Sequence, residues 1–213
     1  MKKIICLGDS ITDMGRTTLN GTSDPWCFGV GYPQFLNGLL QFLHPHQYEV
    51  INQGISGNRV VDLYARIKKD VWNLTPDYLF ILIGTNDVWH EIDGKNGVEI
   101  DRFEKVYSML IEDTLKVLPN LKIVLLEPFV LEGWATTNKY NEFLMIKEYA
   151  KVVKSLALKY NLKFISLQVK LDEMSKENKT ETYLYDGIHT ASAGAYFIAN
   201  EVFELLEEDN NNY

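Results

Sequence analysis

Five short runs rich in β-branched, leucine and aromatic residues, at 3–7, 48–52, 78–83, 121–126 and 163–167, alternate with longer stretches whose apolar residues recur every three or four positions. Several of the runs are apolar without alternation, the pattern of strands covered on both faces. Strands that alternate with helices leave few folds open, because each crossover to a parallel neighbour is right-handed and lays its helix on a face of the sheet. The sequence therefore predicts an α/β protein: a three-layer α/β/α sandwich around a five-stranded parallel sheet. Pro33 opens one helix, with Leu36, Leu39, Leu40 and Leu43, and Asn58 is placed to cap a second, with Leu63, Ile67 and Val71 on one side. Asp101 and Glu104 form a capping pair for a third with Phe103, Val106 and Leu110, and a fourth follows an Asn138 cap with Phe143, Ile146, Ala150, Val153 and Ala157. A last helix follows Thr190 and carries Ala195, Ile198, Ala199, Val202 and Leu206. No linker or repeat interrupts the pattern, so a single domain is expected over 1–206, followed by an acidic and polar tail at 207–213.

Composition narrows the class of protein. A chain of 213 residues, 46% hydrophobic and 23% charged, is neither disordered, collagenous nor coiled-coil. Its net charge of −8 lacks the basic footprint of a nucleic-acid binder. Two cysteines, Cys6 and Cys27, make no disulfide framework. No apolar stretch approaches the roughly 20 residues of a membrane helix. The basic, apolar start is broken at Gly8-Asp9 and reads as a first strand, not a secretion signal, so a cytoplasmic location is expected.

In open parallel sheets, ligands bind beyond the carboxyl ends of the strands. The segments placed there are Gly8-Asp9-Ser10-Ile11-Thr12-Asp13, Gln53-Gly54-Ile55-Ser56-Gly57-Asn58-Arg59 and Gly84-Thr85-Asn86-Asp87, with Tyr185-Asp186-Gly187-Ile188-His189 arriving before the last helix. Together they hold the parts for acyl transfer. Ser10 is the candidate nucleophile, His189 its base, and Asp186 the group that orients the imidazole. Candidate donors to a developing oxyanion are the backbone N–H of Ser10, the N–H of Gly54 and the side-chain amide of Asn86. Alone, Ser10 and Asp186 would read as helix caps and Asn86 as a turn residue; it is their joint placement that points to catalysis. Asp9 is a candidate for substrate contact or for bracing its loop. Trp89, Trp134 and Tyr185 lie on loops over the same edge, where aromatic faces can stack on sugars or close a small acyl pocket. His44 and His46 flank Pro45 as solvated loop residues without the neighbours of a metal site, and Asp13 is placed to pair with Arg16.

Gly8-Asp9-Ser10, Gly54, Gly84-Thr85-Asn86-Asp87 and Asp186-x-x-His189 resemble, in order and over nearly the whole chain, the four sequence blocks of the GDSL-type SGNH hydrolases. The resemblance implies an SGNH, flavodoxin-like version of the three-layer fold, with Ser10, Gly54, Asn86 and His189 as signature residues and Asp186 completing the triad. The strings around Ser10, Gly54-Ile55-Ser56-Gly57-Asn58 and Gly84-Thr85-Asn86-Asp87-Val88-Trp89 look most like the intracellular acetylxylan esterase and carbohydrate deacetylase branch. Some relatives there carry Trp before the triad Asp, where this chain has Tyr185. The expected function is a serine esterase that takes acetyl groups from carbohydrates such as xylo-oligosaccharides, needing no metal or cofactor and allowing a homo-oligomer. Its rivals are a lysophospholipase or thioesterase, which would favour long acyl chains, and a catalytically silent sugar-binding or scaffold protein.

Overall fold

The computed structural model describes residues 1–18 and 24–211. Strands β1 (Lys2–Gly8), β2 (Tyr48–Gly54), β3 (Tyr78–Leu82), β4 (Lys122–Leu126) and β5 (Lys163–Ile165) form one parallel sheet in the order β2-β1-β3-β4-β5. Central β1 and β3 lack alternation because helices cover both faces: Ile4 to Leu7 and every residue of β3 are buried. Edge strand β2 alternates buried and half-buried residues instead. The chain leaves β1 for β2 on one side and returns to β3 on the other, so the strand order reverses between β1 and β3. A crevice opens there, beyond the carboxyl ends of these two strands.

Helices α1 (Ser10–Asp13), α2 (Tyr32–Leu43), α3 (Val60–Asp70), α4 (Thr85–Gly94), α5 (Ile100–Val117), α6 (Tyr140–Phe143), α7 (Ile146–Lys159), α8 (Gln168–Glu177) and α9 (Ser192–Asn211) complete the layers. The α2 and α9 helices pack against each other, and α5 packs against both α3 and α7. Several local expectations are corrected. Arg59, not Asn58, is the N-cap residue of α3, with its N–H and its Nε both donating to Asp62 Oδ2. Glu99 precedes α5, and neither Asp101 nor Glu104 caps it. The expected helix after Asn138 is split into α6 and α7, because Met145 N–H reaches back only to Glu142 and Lys147 N–H only to Leu144, which tightens the chain between them. The short α4 and α8 went unread because both are polar and follow strand ends. Residues 207–211, expected as a tail, continue α9: Asp209 Oδ2 lies 2.9 Å from Lys122 Nζ, and Glu207 Oε1 lies 2.8 Å from His44 Nε2. His44 is thus tied to α9 rather than solvated.

Candidate active site

The turn after β1 sets the first side chain. Gly8 has no room for a Cβ, which would come 2.3 Å from Thr12 Oγ1 and 2.5 Å from the Leu82 carbonyl. Asp9 caps α1, its Oδ1 accepting from Ile11 N–H at 2.9 Å, and this puts Ser10 at the first helical position with its own N–H meeting no acceptor among the described residues. Burial pushes the Asp9 carboxyl up to about 6, against the pull of the Ile11 bond. At 1% exposure, Asp9 braces the turn and is not a substrate contact, which corrects one of the two roles expected for it.

The loop before α9 brings the second and third groups to Ser10. Its Oγ lies 2.8 Å from His189 Nε2, and His189 Nδ1 lies 2.7 Å from Asp186 Oδ2. The other Asp186 oxygen accepts from the N–H groups of Ile188 at 2.9 Å and His189 at 2.7 Å. Burial alone would raise the Asp186 carboxyl; the imidazole bond and these two amides outweigh it and hold the group below the ordinary carboxylate value. An ionised Asp186 only accepts, so Nδ1 carries the ring proton and Nε2 presents its lone pair to the Ser10 hydroxyl. The 131–137 segment buttresses the loop, with Leu131 N–H on the Gly187 carbonyl at 2.9 Å and Ala135 N–H on that of Asp186 at 3.1 Å. The imidazole itself sits between two rings, Tyr185 stacked at 5.8 Å and Trp89 tilted at 5.9 Å.

Donors converge from the other two loops. Asn86, in the first turn of α4, is 6% exposed and fixes one amide hydrogen on the Asn58 carbonyl, Nδ2 to O 3.1 Å. The second hydrogen is left to the crevice. The expectation for Gly54 is overturned: its N–H donates to Asn52 Oδ1 at 2.8 Å, and a Cβ there would fall 2.2 Å from the Asp13 amide nitrogen. Gly54 is a glycine so that α1 can pack on β2. Gly57, three residues on, borders the crevice with φ at +83°, and its N–H meets no acceptor among the described residues. In the sequence Gly57 is one more residue of the segment after β2, and nothing local distinguishes the two glycines. The expected Asp13–Arg16 ion pair is also absent. Arg16 Nε donates to the Gly54 carbonyl at 2.6 Å, while Asp13 Oδ2 accepts from the Ser56 hydroxyl at 2.6 Å.

Ser10, Gly57, Asn86 and His189 open on a cavity of about 440 Å³. Its remaining wall is Ser56 with Trp89, His90 and Asp93 of α4. Trp89 is pinned by its Nε1–H on Asp93 Oδ2 at 2.8 Å and by the ring of Phe143, 5.4 Å away and nearly perpendicular. Asp93 in turn meets Lys139 at 3.3 Å. Tyr185 backs the imidazole without lining this cavity, and Trp134, 71% exposed, stands outside it. Among the described residues, no group of three or more His, Cys, Asp or Glu is arranged to hold a metal, and no helix is long and apolar enough to cross a membrane.

The model of the GDSL-like lipase/acylhydrolase family matches residues 6–196. An acetylxylan esterase from Geobacillus stearothermophilus is 34% identical over 204 residues, covering 93% of this chain and 90% of its own. A crystal structure of a GDSL-like lipase from Parabacteroides merdae superposes with a TM-score of 0.88 at 33% identity, covering 95% of this chain and 94% of that one. Axe2, an acetylxylan esterase from Geobacillus stearothermophilus, superposes with a TM-score of 0.84 at 32% identity over 95% of this chain and 93% of that one. Its solved forms include catalytic mutants in which an aspartate, a serine or a histidine is replaced by alanine.

Proposed function

Because the chain belongs to the GDSL-like lipase/acylhydrolase family and is a carboxylic ester hydrolase, we propose that it removes short acyl groups, acetyl above all, from carbohydrates such as xylo-oligosaccharides. The observation that carries this reading is the continuous line from Asp186 through His189 to Ser10, ending at a cavity with one aromatic wall. Sugar faces stack on such a wall, and His90 and Asp93 offer polar partners to hydroxyls. The similarity to an acetylxylan esterase over most of the chain supports the same substrate class.

In this mechanism Ser10 Oγ attacks the ester carbonyl as its proton passes to His189 Nε2, and Asp186 balances the imidazolium that forms. The N–H groups of Ser10 and Gly57 and the amide of Asn86 hold the oxyanion. The imidazolium then protonates the departing sugar alkoxide, leaving an acyl-serine. Water, deprotonated by the same imidazole, attacks the acyl carbon and releases the acid and free Ser10. Each step is a proton transfer or acyl transfer, so the scheme calls on no metal or cofactor.

Hydrolysis of p-nitrophenyl esters from acetate to octanoate, with acetate release from acetylated xylo-oligosaccharides, tests the reading. Highest turnover on the acetyl substrates is expected, together with stoichiometric labelling of Ser10 by a serine-directed phosphonate and none in Ser10→Ala. Rates that climb toward octanoate would replace it with a lipolytic enzyme. Absence of both labelling and turnover would leave a binding protein.

A further inference from the structure

Arg66, in α3, lies outside the cavity yet joins two of the segments that build it, the one after β1 and the one after β2. Its side chain is 14% exposed. One terminal nitrogen, Nη2, donates to the Gly8 carbonyl at 3.1 Å and to the Gln53 carbonyl at 2.9 Å, at the carboxyl ends of adjacent strands β1 and β2. Nη1 meets Asp70 Oδ2 at 2.5 Å, one turn further along the same helix, which supplies the countercharge. With the guanidinium plane anchored on the sheet, Nε points at Asn58 Oδ1, 2.7 Å away. Asn58 is the residue whose carbonyl holds Asn86 Nδ2, and its own N–H closes on the Ile55 carbonyl at 3.2 Å across the turn that carries Gly57.

We propose that Arg66 is a positioning residue: by holding Asn58 against the end of the sheet, it sets the direction in which the Asn86 amide faces the oxyanion. This rests on the esterase reading above. The physical basis is angular. An amide with one hydrogen committed to a fixed carbonyl has its second hydrogen aimed by that commitment, and hydrogen bonds weaken steeply as alignment is lost. Arg suits the task because its planar fork holds donors in fixed directions, whereas a lysine ammonium is a compact point charge on a flexible stem. Lysine in its place keeps a charge for Asp70 but releases Asn58.

Steady-state kinetics on p-nitrophenyl acetate, with thermal unfolding of each variant, tests this. Deleting one oxyanion donor costs roughly 10² in kcat, and a misaimed donor should cost less. Arg66→Lys and Asn58→Ala are each expected to lower kcat by about 10-fold with KM shifted less than about twofold, the mark of an interaction made in the transition state. In an Asn86→Ala background either change should cost less than about twofold more, since the donor it serves is gone. Asn58→Ala removes only the accepting side chain and leaves the bonds of Arg66 to the sheet, so it decides the matter if Arg66→Lys does not fold. A folded Asn58→Ala with kcat within about twofold of wild type would overturn the proposal. So would losses of equal size with and without Asn86. A wild-type enzyme inactive on every ester removes the esterase reading and this inference together, whereas an active one with unaffected variants removes this inference alone.

Discussion

Asp186 and Asp87 are both buried acids, 3% and 0% exposed, both adjoin the site, and their surroundings push the two carboxyls in opposite directions from the ordinary value. Around Asp186, burial is outweighed by the imidazole and two amide N–H groups, so the carboxyl is held low. Around Asp87, burial dominates. The Val60 N–H, 3.1 and 3.3 Å from its two oxygens, and its own amide pull the other way without overcoming burial, to which the charge of nearby Asp9 adds. The Asp87 carboxyl is pushed up to about 8. Burial alone therefore does not decide whether a carboxyl here is charged; the hydrogen bonds and charges set against it do. At neutral pH Asp186 is an anion able to balance an imidazolium, while Asp87 is a neutral tie between α4 and the start of α3.

The same substitution at both positions should give opposite results. Asp186→Asn keeps the shape but removes the charge and the acceptor that fixes the imidazole tautomer, and a loss of about 10⁴ in kcat on p-nitrophenyl acetate is expected. A loss under tenfold would mean that Asp186 only holds the loop. Asp87→Asn should act on stability instead. A folded value near 8 against an unfolded value near 3.8 means that the native state keeps its proton where the unfolded chain has lost it, so stability falls as pH rises from about 4 to 8 and levels off above. Asn, which cannot ionise, escapes that fall, and Asp87→Asn should raise Tm by roughly 5 °C at pH 8 and by much less at pH 5. For Asp186 the sign reverses: its contribution is full above the ordinary carboxyl value and is lost as pH falls through its lower folded value. A Tm gain from Asp87→Asn that is flat with pH would show Asp87 to be ionised in the folded protein. The smallest effect expected is on turnover, with kcat of Asp87→Asn at pH 7 within about twofold of wild type.

The two glycines after β2 extend the contrast from charge to shape. Gly54→Ala drives a Cβ into the Asp13 backbone and should lower stability, whereas Gly57→Ala meets open space at a strained φ and should lower kcat first. Both glycines stand in the same short loop and both look like turn residues in sequence. Which N–H is spent on Asn52 and which faces the cavity depends on α1 packing over the end of β2, a contact between segments some forty residues apart. The same holds for Glu207 and Asp209. By composition they read as a tail, and they stay helical in contact with His44, just after α2, and Lys122 of β4. The strands were legible to within about two residues because short β-branched, leucine and aromatic runs alternate with longer stretches of helical period. Ser10, Asn86, Asp186 and His189 were legible because polar residues crowd the ends of those strands, where the fold must place a crevice.

The sequence by itself therefore determined the layered α/β fold and the edge where polar residues crowd, and singled out a serine, a histidine and an aspartate as candidates there, because periodicity and the alternation of strands with helices act through local pattern. Tertiary structure alone decided which glycine presents its N–H, which of two buried acids keeps its proton, and which arginine holds Asn58. Each of those depends on the direction of donors and acceptors brought together from distant parts of the chain, and direction is a property of packing that no local spacing encodes.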